Sequence, residues 1–214
     1  MRSDLPMKSL EICEIFYSLQ GESSYAGMPC TFIRLSGCNL RCSYCDTAYS
    51  HEAGETRAIS QILAEVAEYP GNLVELTGGE PLAQENSIML LSELLAMGNK
   101  VLLETNGSLS LRNVPAEVVK IVDVKCPASG VGNSFLHDNL GYLATHDELK
   151  FVISDFEDYV FARDFVRDHR LLGYTIHFSP VNPILKAEEL AEWILQDGLG
   201  VKLSLQLHRI LNLR

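Results

Sequence analysis

The chain has 214 residues, 47% of them apolar, and carries a net charge of −11 with a pI near 4.9. That length and apolar share predict a single domain over residues 1–214 with a sizeable core. The acidic balance excludes a duplex nucleic-acid-binding face, which needs clustered cations, but leaves room for a small anionic substrate held by one or two local cations.

In chain order, residues 11–30 (EICEIFYSLQGESSYAGMPC) read as an extended N-terminal segment with a loop rich in Gly and Ser. Residues 31–36 (TFIRLS) have a buried-strand pattern. A cysteine-bearing loop follows, then a helix over 59–69, a strand over 72–77 and a helix over 87–98 ended by glycine. Strands are expected over 100–105, 119–125 and 148–153, a helix over 155–169, a strand over 174–179, a helix over 186–196 and a strand over 201–206. Strands apolar on both faces and separated by helices predict a parallel sheet with helices outside. The expected fold is therefore α/β, a partial (β/α)6-type barrel with an N-terminal extension. No run of 18 apolar residues occurs, so no membrane span is expected. The stretch MRSDLPMKSL lacks the apolar core of a signal peptide, and a cytoplasmic protein is the expectation.

Nearly every predicted strand ends in a polar or glycine cluster: Ser36-Gly37-Cys38, Thr77-Gly78-Gly79-Glu80, Glu104-Thr105-Asn106-Gly107, Asp123-Val124-Lys125, Ser179-Pro180 and Gln206-Leu207-His208. In a (β/α) barrel the C-terminal strand ends surround the active site.

Six cysteines in a cytosolic chain are not read as disulfides. Cys38, Cys42 and Cys45 crowd into eight residues as C-x3-C-x2-C, which points to metal or cluster chemistry. Cys13, Cys30 and Cys126 stand apart and read as core-filling thiols. Three thiolates leave one coordination position open. A zinc site would need a fourth ligand, with His51 or Cys30 nearest in sequence; an iron–sulfur site would hold three irons of a four-iron cluster and leave the fourth iron free. Leu76–Pro81 (LTGGEP) follows the next strand, where glycines let backbone approach a ligand. Tyr44 sits just before the last cysteine, placed to stack on a purine.

With these elements in this order, the sequence resembles the radical S-adenosylmethionine (SAM) superfamily. The resemblance implies a [4Fe-4S] cluster on Cys38, Cys42 and Cys45, with SAM chelating the free iron. A narrower resemblance lies in the flanks. Gln20-Gly21-Glu22, Arg34, Cys45-Asp46-Thr47, Thr77 through Pro81, Glu104 through Gly107, the strand end with Lys125 and Gln206-Leu207-His208 fall in the order of the 7-carboxy-7-deazaguanine synthase family, from about residue 12 to 208. That family contracts the ring of 6-carboxy-5,6,7,8-tetrahydropterin to 7-carboxy-7-deazaguanine with loss of ammonia, in queuosine and deazapurine biosynthesis. The resemblance implies that Tyr44, Cys45, Asp46, Gly79, Glu80, Asp123, Val124, Lys125 and Gln206 line SAM. It implies that Leu19, Gln20, Gly21, Glu22, Arg34 and Thr77 face the pterin, and that Thr47 ligates a magnesium ion. For Arg34 the alternative is a structural ion pair; for Thr47 it is a helix cap. Glu104 and Asn106 are expected near the SAM ribose, and His208 at the pocket rim. A reductant such as flavodoxin or ferredoxin is implied as partner. A homodimer is expected because an incomplete barrel leaves edges to cover. Two competing readings are a radical SAM activase that makes a glycyl radical on a partner protein, and a non-catalytic metal-binding module.

Overall fold

The computed structural model describes residues 8–213. Residues 1–7, within the stretch read as lacking a signal-peptide core, lie outside them. The architecture is one nine-stranded sheet in the order β3-β1-β2-β4-β5-β6-β7-β8-β9. Its strands are β1 (Ser9–Leu19), β2 (Pro29–Leu35), β3 (Glu55–Ala58), β4 (Leu73–Gly78), β5 (Lys100–Thr105), β6 (Val119–Asp123), β7 (Glu148–Ile153), β8 (Thr175–Pro180) and β9 (Lys202–Leu203). Strand β1 is antiparallel to β2 and β3, and all pairings from β2 to β9 are parallel. The N-terminal extension is thus a long antiparallel strand added to a parallel sheet, and the sheet is open, as expected for a partial barrel.

The helices are α1 (Ile59–Val66), α2 (Ser87–Ala96), α3 (Phe156–Asp168), α4 (Ala187–Asp197) and the short α5 (Leu207–Ile210). Apolar residues at helical spacing, such as Ile59, Ile62 and Val66, form the buried face of α1. Helix α3 starts at Asp155, whose carboxylate accepts from the Asp158 N–H at 2.9 Å. Helix α4 ends at Gly198, with φ of 57°. All four longer helices contribute to one apolar layer with Val74, Leu76, Val101 and Leu103.

No helix is expected between β5 and β7; the β5–β6 connection contains none, and the β6–β7 connection only 3-10 turns. Pro115, Pro127 and the glycines at 107, 130 and 132 interrupt helix formation there. The predicted strand over 201–206 shrinks to two exposed residues at the sheet edge, and Gln206 precedes α5 instead of ending a strand.

The opposite face of the sheet positions the site. A second apolar cluster of Phe16, Cys30, Phe32, Leu73, Leu102, Val119 and Ile121 covers its lower part. Side chains alternate along a strand. Two residues further along β2, β4, β5 and β6 on that same face come Arg34, Glu75 with Thr77, Glu104, and Asp123. Each strand therefore changes from apolar to polar on its inner face as it climbs toward its C-terminal end.

Candidate active site

Above the apolar floor lies a cavity of about 260 Å3, lined by all three cysteines of the loop and by residues from β1 to the C-terminal segment. Of the residues expected at the site, Leu19, Gln20, Gly21, Glu22, Arg34, Tyr44, Asp46, Thr47, Thr77, Gly79, Asp123, Lys125 and Gln206 all line it, as do Glu104, Asn106 and His208. The chain is acidic overall, yet Arg34, Lys125, Lys150 and Arg209 reach this one wall.

The cysteine loop is held at its base and its far side. Gly37, with φ of 83°, donates its N–H to the Ser50 carbonyl at 2.7 Å, and its own carbonyl accepts from Glu80 N–H at 2.9 Å. A Cβ at Gly79 would meet that Gly37 carbonyl oxygen at 1.9 Å, so only glycine lets the loop pack on the β4 end. Ser43 donates to the carbonyls of Ser129 and Ala128, at 2.9 and 2.8 Å. Tyr44 donates its hydroxyl to the Val152 carbonyl at 3.2 Å.

The thiols fit a cluster better than a single ion. No three His, Cys, Asp or Glu groups among the described residues are arranged to hold one metal ion. Soft thiolates spread around one cavity suit iron–sulfur ligation, in which each binds a different iron. Leu40 N–H and Asn106 Nδ2 point at Cys38 Sγ, at 3.4 and 3.8 Å, and His51 Nε2 lies 3.8 Å from Cys45 Sγ. Such contacts tune cluster sulfurs. Cys30, the other zinc candidate, is buried in the inner apolar cluster, where burial raises its thiol pKa.

Two expected residues do not reach the cavity. Val124 is fully buried in the helix-side core, because its neighbours Asp123 and Lys125 take the inner face. Glu80 is also fully buried and absent from the cavity wall. Its Oε1 accepts from Leu82 N–H at 3.0 Å and Thr105 Oγ1 at 2.8 Å, and its Oε2 from Asn106 N–H at 2.7 Å. The glycine turn at 78–79 rotates this carboxylate beneath the cysteine loop, where it ties the β4 and β5 ends together.

Arg34 forms a structural ion pair, its Nε donating to Glu14 Oε1 at 2.8 Å, and its side chain also lines the cavity. Thr47 precedes a 3-10 turn but makes no side-chain cap, and its Oγ1 lies 3.9 Å from Cys45 Sγ.

The site's electrostatic centre is Lys150, which sequence reasoning missed. Its ammonium pairs with Glu22, with Glu104 at 2.9 Å, and with Asp123 at 4.0 Å. These three acids come from three separate motifs, and they hold Lys150 well above its usual pKa despite its burial. Asp123 also pairs with Lys125 at 2.8 Å. Gln206 donates to Glu22 at 2.7 Å and to Asp46 at 3.3 Å, and Arg209 pairs with Asp46 at 2.9 Å. The C-terminal segment is thereby tied to both the Gln20–Glu22 loop and the cysteine loop. Lys150 lies mid-strand in ELKFVI, where the alternation of a buried strand is the only signal that could have placed it inside.

A 7-carboxy-7-deazaguanine synthase from Koribacter versatilis is 49% identical over 94% of this chain and 96% of its own length. A second, from Chlorobaculum tepidum, is 44% identical over 94% and 93%. The chain belongs to the 7-carboxy-7-deazaguanine synthase family. Residues 32–128, from the apolar strand through the cysteine loop to the Lys125 strand end, match the radical SAM superfamily. The fold is that of QueE from Escherichia coli, with a TM-score of 0.74 at 23% identity over 94% of this chain and 95% of that one. In this family member neither competing reading is favoured, since relatives spanning nearly the whole chain are named as synthases and not as activases.

Proposed function

We propose that this cavity converts 6-carboxy-5,6,7,8-tetrahydropterin to 7-carboxy-7-deazaguanine with release of ammonia, feeding queuosine or related deazapurine synthesis. The observation that carries the reading is the meeting of the three loop cysteines and the Gln20–Glu22 loop in one cavity. Cys38, Cys42 and Cys45 would hold a [4Fe-4S] cluster, and Gly79, Tyr44, Asp46, Asp123, Lys125 and Gln206 would surround SAM. When bound, cluster and SAM together supply a deoxyadenosyl radical able to remove hydrogen from the substrate carbon that bears the carboxylate.

The chain's own residues bind and orient the pterin. The Glu22 carboxylate accepts from the amino and ring N–H groups of its pyrimidine edge. Arg34 offers its terminal nitrogens to the substrate carboxylate while Glu14 holds the Nε side. Lys150 pairs with Glu22 and Glu104 and fixes both carboxylates in place.

Magnesium binding at Thr47 belongs to this proposal. The hydroxyl lines the cavity without serving as a cap, and magnesium takes few protein oxygens and keeps several waters. A homodimer is proposed from the exposed Leu203, Leu205, Ile210, Leu211 and Leu213 beside the open β9 edge. A flavodoxin- or ferredoxin-type reductant and a cytoplasmic setting complete the reading; no helix among the described residues is long and apolar enough to cross a membrane.

The test is anaerobic reconstitution with iron and sulfide, followed by SAM, reductant, magnesium and 6-carboxy-5,6,7,8-tetrahydropterin. Formation of the deazapurine, detected by mass with one ammonia per product, is expected. SAM cleavage with the pterin recovered intact overturns the assignment.

A further inference from the structure

Glu75 belongs to none of the motifs that mark this site, yet it lies on the cavity wall. It is 1% exposed, on the inner face of β4 two residues before Thr77. An acid this deep requires a reason, since burial without a partner is costly. Its Oε2 accepts a hydrogen bond from Gln20 Nε2. The other end of that carboxamide, Oε1, accepts from the Glu22 N–H. Gln20 is itself 3% exposed, and its backbone closes the loop in both directions: its N–H donates to Met28 O and its carbonyl accepts from Gly27 N–H, each at 2.8 Å.

Glu75 therefore decides which way the Gln20 amide faces. With Nε2 drawn down to Glu75, Oε1 is left pointing at residue 22, and the turn aims the Glu22 side chain at Lys150 and Gln206. A flipped amide would set an N–H against the Glu22 N–H, and the turn would open. We propose that Glu75 is a positioning residue for the pterin: by clamping the Gln20 carboxamide it fixes the turn that presents Glu22 to the pyrimidine edge. The charge balance of the wall agrees. Glu22, Glu104 and Asp123 share Lys150 and Lys125, and among the described residues no cation lies within ion-pair distance of Glu75. Burial, with Glu104 nearby, raises its pKa well above the usual carboxyl range. Its part is that of a neutral acceptor, which an amide can imitate.

This inference rests on the pterin reading, and its test separates the two. Binding of 6-carboxypterin, followed by its fluorescence, is measured on the reconstituted protein beside SAM binding and iron content. Glu75→Val is expected to weaken pterin binding about tenfold, the loss of one hydrogen bond that leaves a buried partner unpaired. SAM affinity and iron content stay at wild-type levels, and Glu75→Gln binds pterin within about threefold of wild type. In a Gln20→Leu background, which has no clamp to lose, Glu75→Val should add no further loss. Should Glu75→Val fold poorly, Glu75→Gln alone still decides, because it matches a neutral acid in size and charge and differs from an ionised one. A Gln variant that loses pterin affinity tenfold overturns the neutral clamp. So does a Val variant that binds pterin normally, or one that loses SAM and pterin together. Wild-type protein that binds no 6-carboxypterin overturns the pterin reading and this inference with it.

Discussion

Replacing Lys150 by Met tests the electrostatic account of the site most directly. Met nearly matches the length of the lysine stem and removes only the ammonium. Three carboxylates then lose their shared cation: Glu22, Glu104 at 2.9 Å and Asp123 at 4.0 Å. Asp123 keeps Lys125, but among the described residues Glu22 and Glu104 have no second ion pair. Removing one partner of a buried ion pair costs about 3–5 kcal/mol. With a urea slope of about 3 kcal/mol/M the midpoint falls by about 1–1.7 M. The pH dependence gives a sharper check. Burial alone would raise the Glu22 pKa; Lys150 and Gln206 together more than offset it and leave it below the usual 4.5. In the wild type the stability from Glu22 is thus present above 4.5 and is lost only as pH falls through the lower folded value. Without Lys150 the burial effect prevails and the folded-state value rises. The folded carboxyl then takes up a proton while the unfolded one is still ionised, and the variant's deficit shrinks as pH falls from 7 toward 4.5. Urea midpoints of reconstituted wild type and Lys150→Met, compared at neutral and mildly acidic pH, read both effects. A midpoint within about 0.3 M of wild type at pH 7, or a deficit that grows on acidification, refutes the reasoning.

Cys42→Ala should abolish both iron binding and SAM cleavage, since the loop holds no spare thiol; a cluster-bearing, SAM-cleaving variant would end the assignment of that ligand. Gly79→Ala places a Cβ 1.9 Å from the Gly37 carbonyl oxygen, so it should lower the melting temperature, with a cost of about 1–3 kcal/mol, and cut iron incorporation. Thr47→Val should leave thermal stability within about 0.5 kcal/mol, because no cap is lost, and should blunt the response of turnover to added magnesium. An unchanged magnesium titration removes Thr47 as ligand.

Much of the sheet was legible because its strands are short, apolar on both faces and separated by helix-period segments, which local patterns report well. The cysteine loop was legible because three thiols at that spacing have few other uses, and the Gln20–Glu22 loop through the family resemblance that it carries. Lys150 and Glu75 were not. Each is a single charged residue inside an apolar strand, and its meaning depends on partners 128 and 55 positions away, Glu22 and Gln20. Which face a strand residue takes follows from alternation, but whether that face meets a cavity or a helix follows only from the assembled sheet. The Val124 expectation failed on this same parity.

Glu75 and Glu80 show why residue type alone does not assign a role. Both follow from β4, both are buried, and each accepts from a protein donor. Between them stand Gly78, with φ of 141°, and Gly79, which has no room for a side chain. That turn carries the chain off the sheet, so that Glu75 faces the cavity and Glu80 the space under the cysteine loop. There Glu80 receives the Asn106 N–H, while Asn106 Nδ2 reaches Asn39 Oδ1 at 3.1 Å and Cys38 Sγ at 3.8 Å. Glu80 thus acts on the cysteine loop through Asn106, from beneath, and Glu75 acts on the Glu22 turn through Gln20, from the side. Glu75 holds the Gln20 amide side chain directly, whereas Glu80 holds the backbone N–H of Asn106, whose own amide side chain then reaches the cysteine loop. Each acid thus adds a tie from the sheet to a loop that its own local contacts also hold.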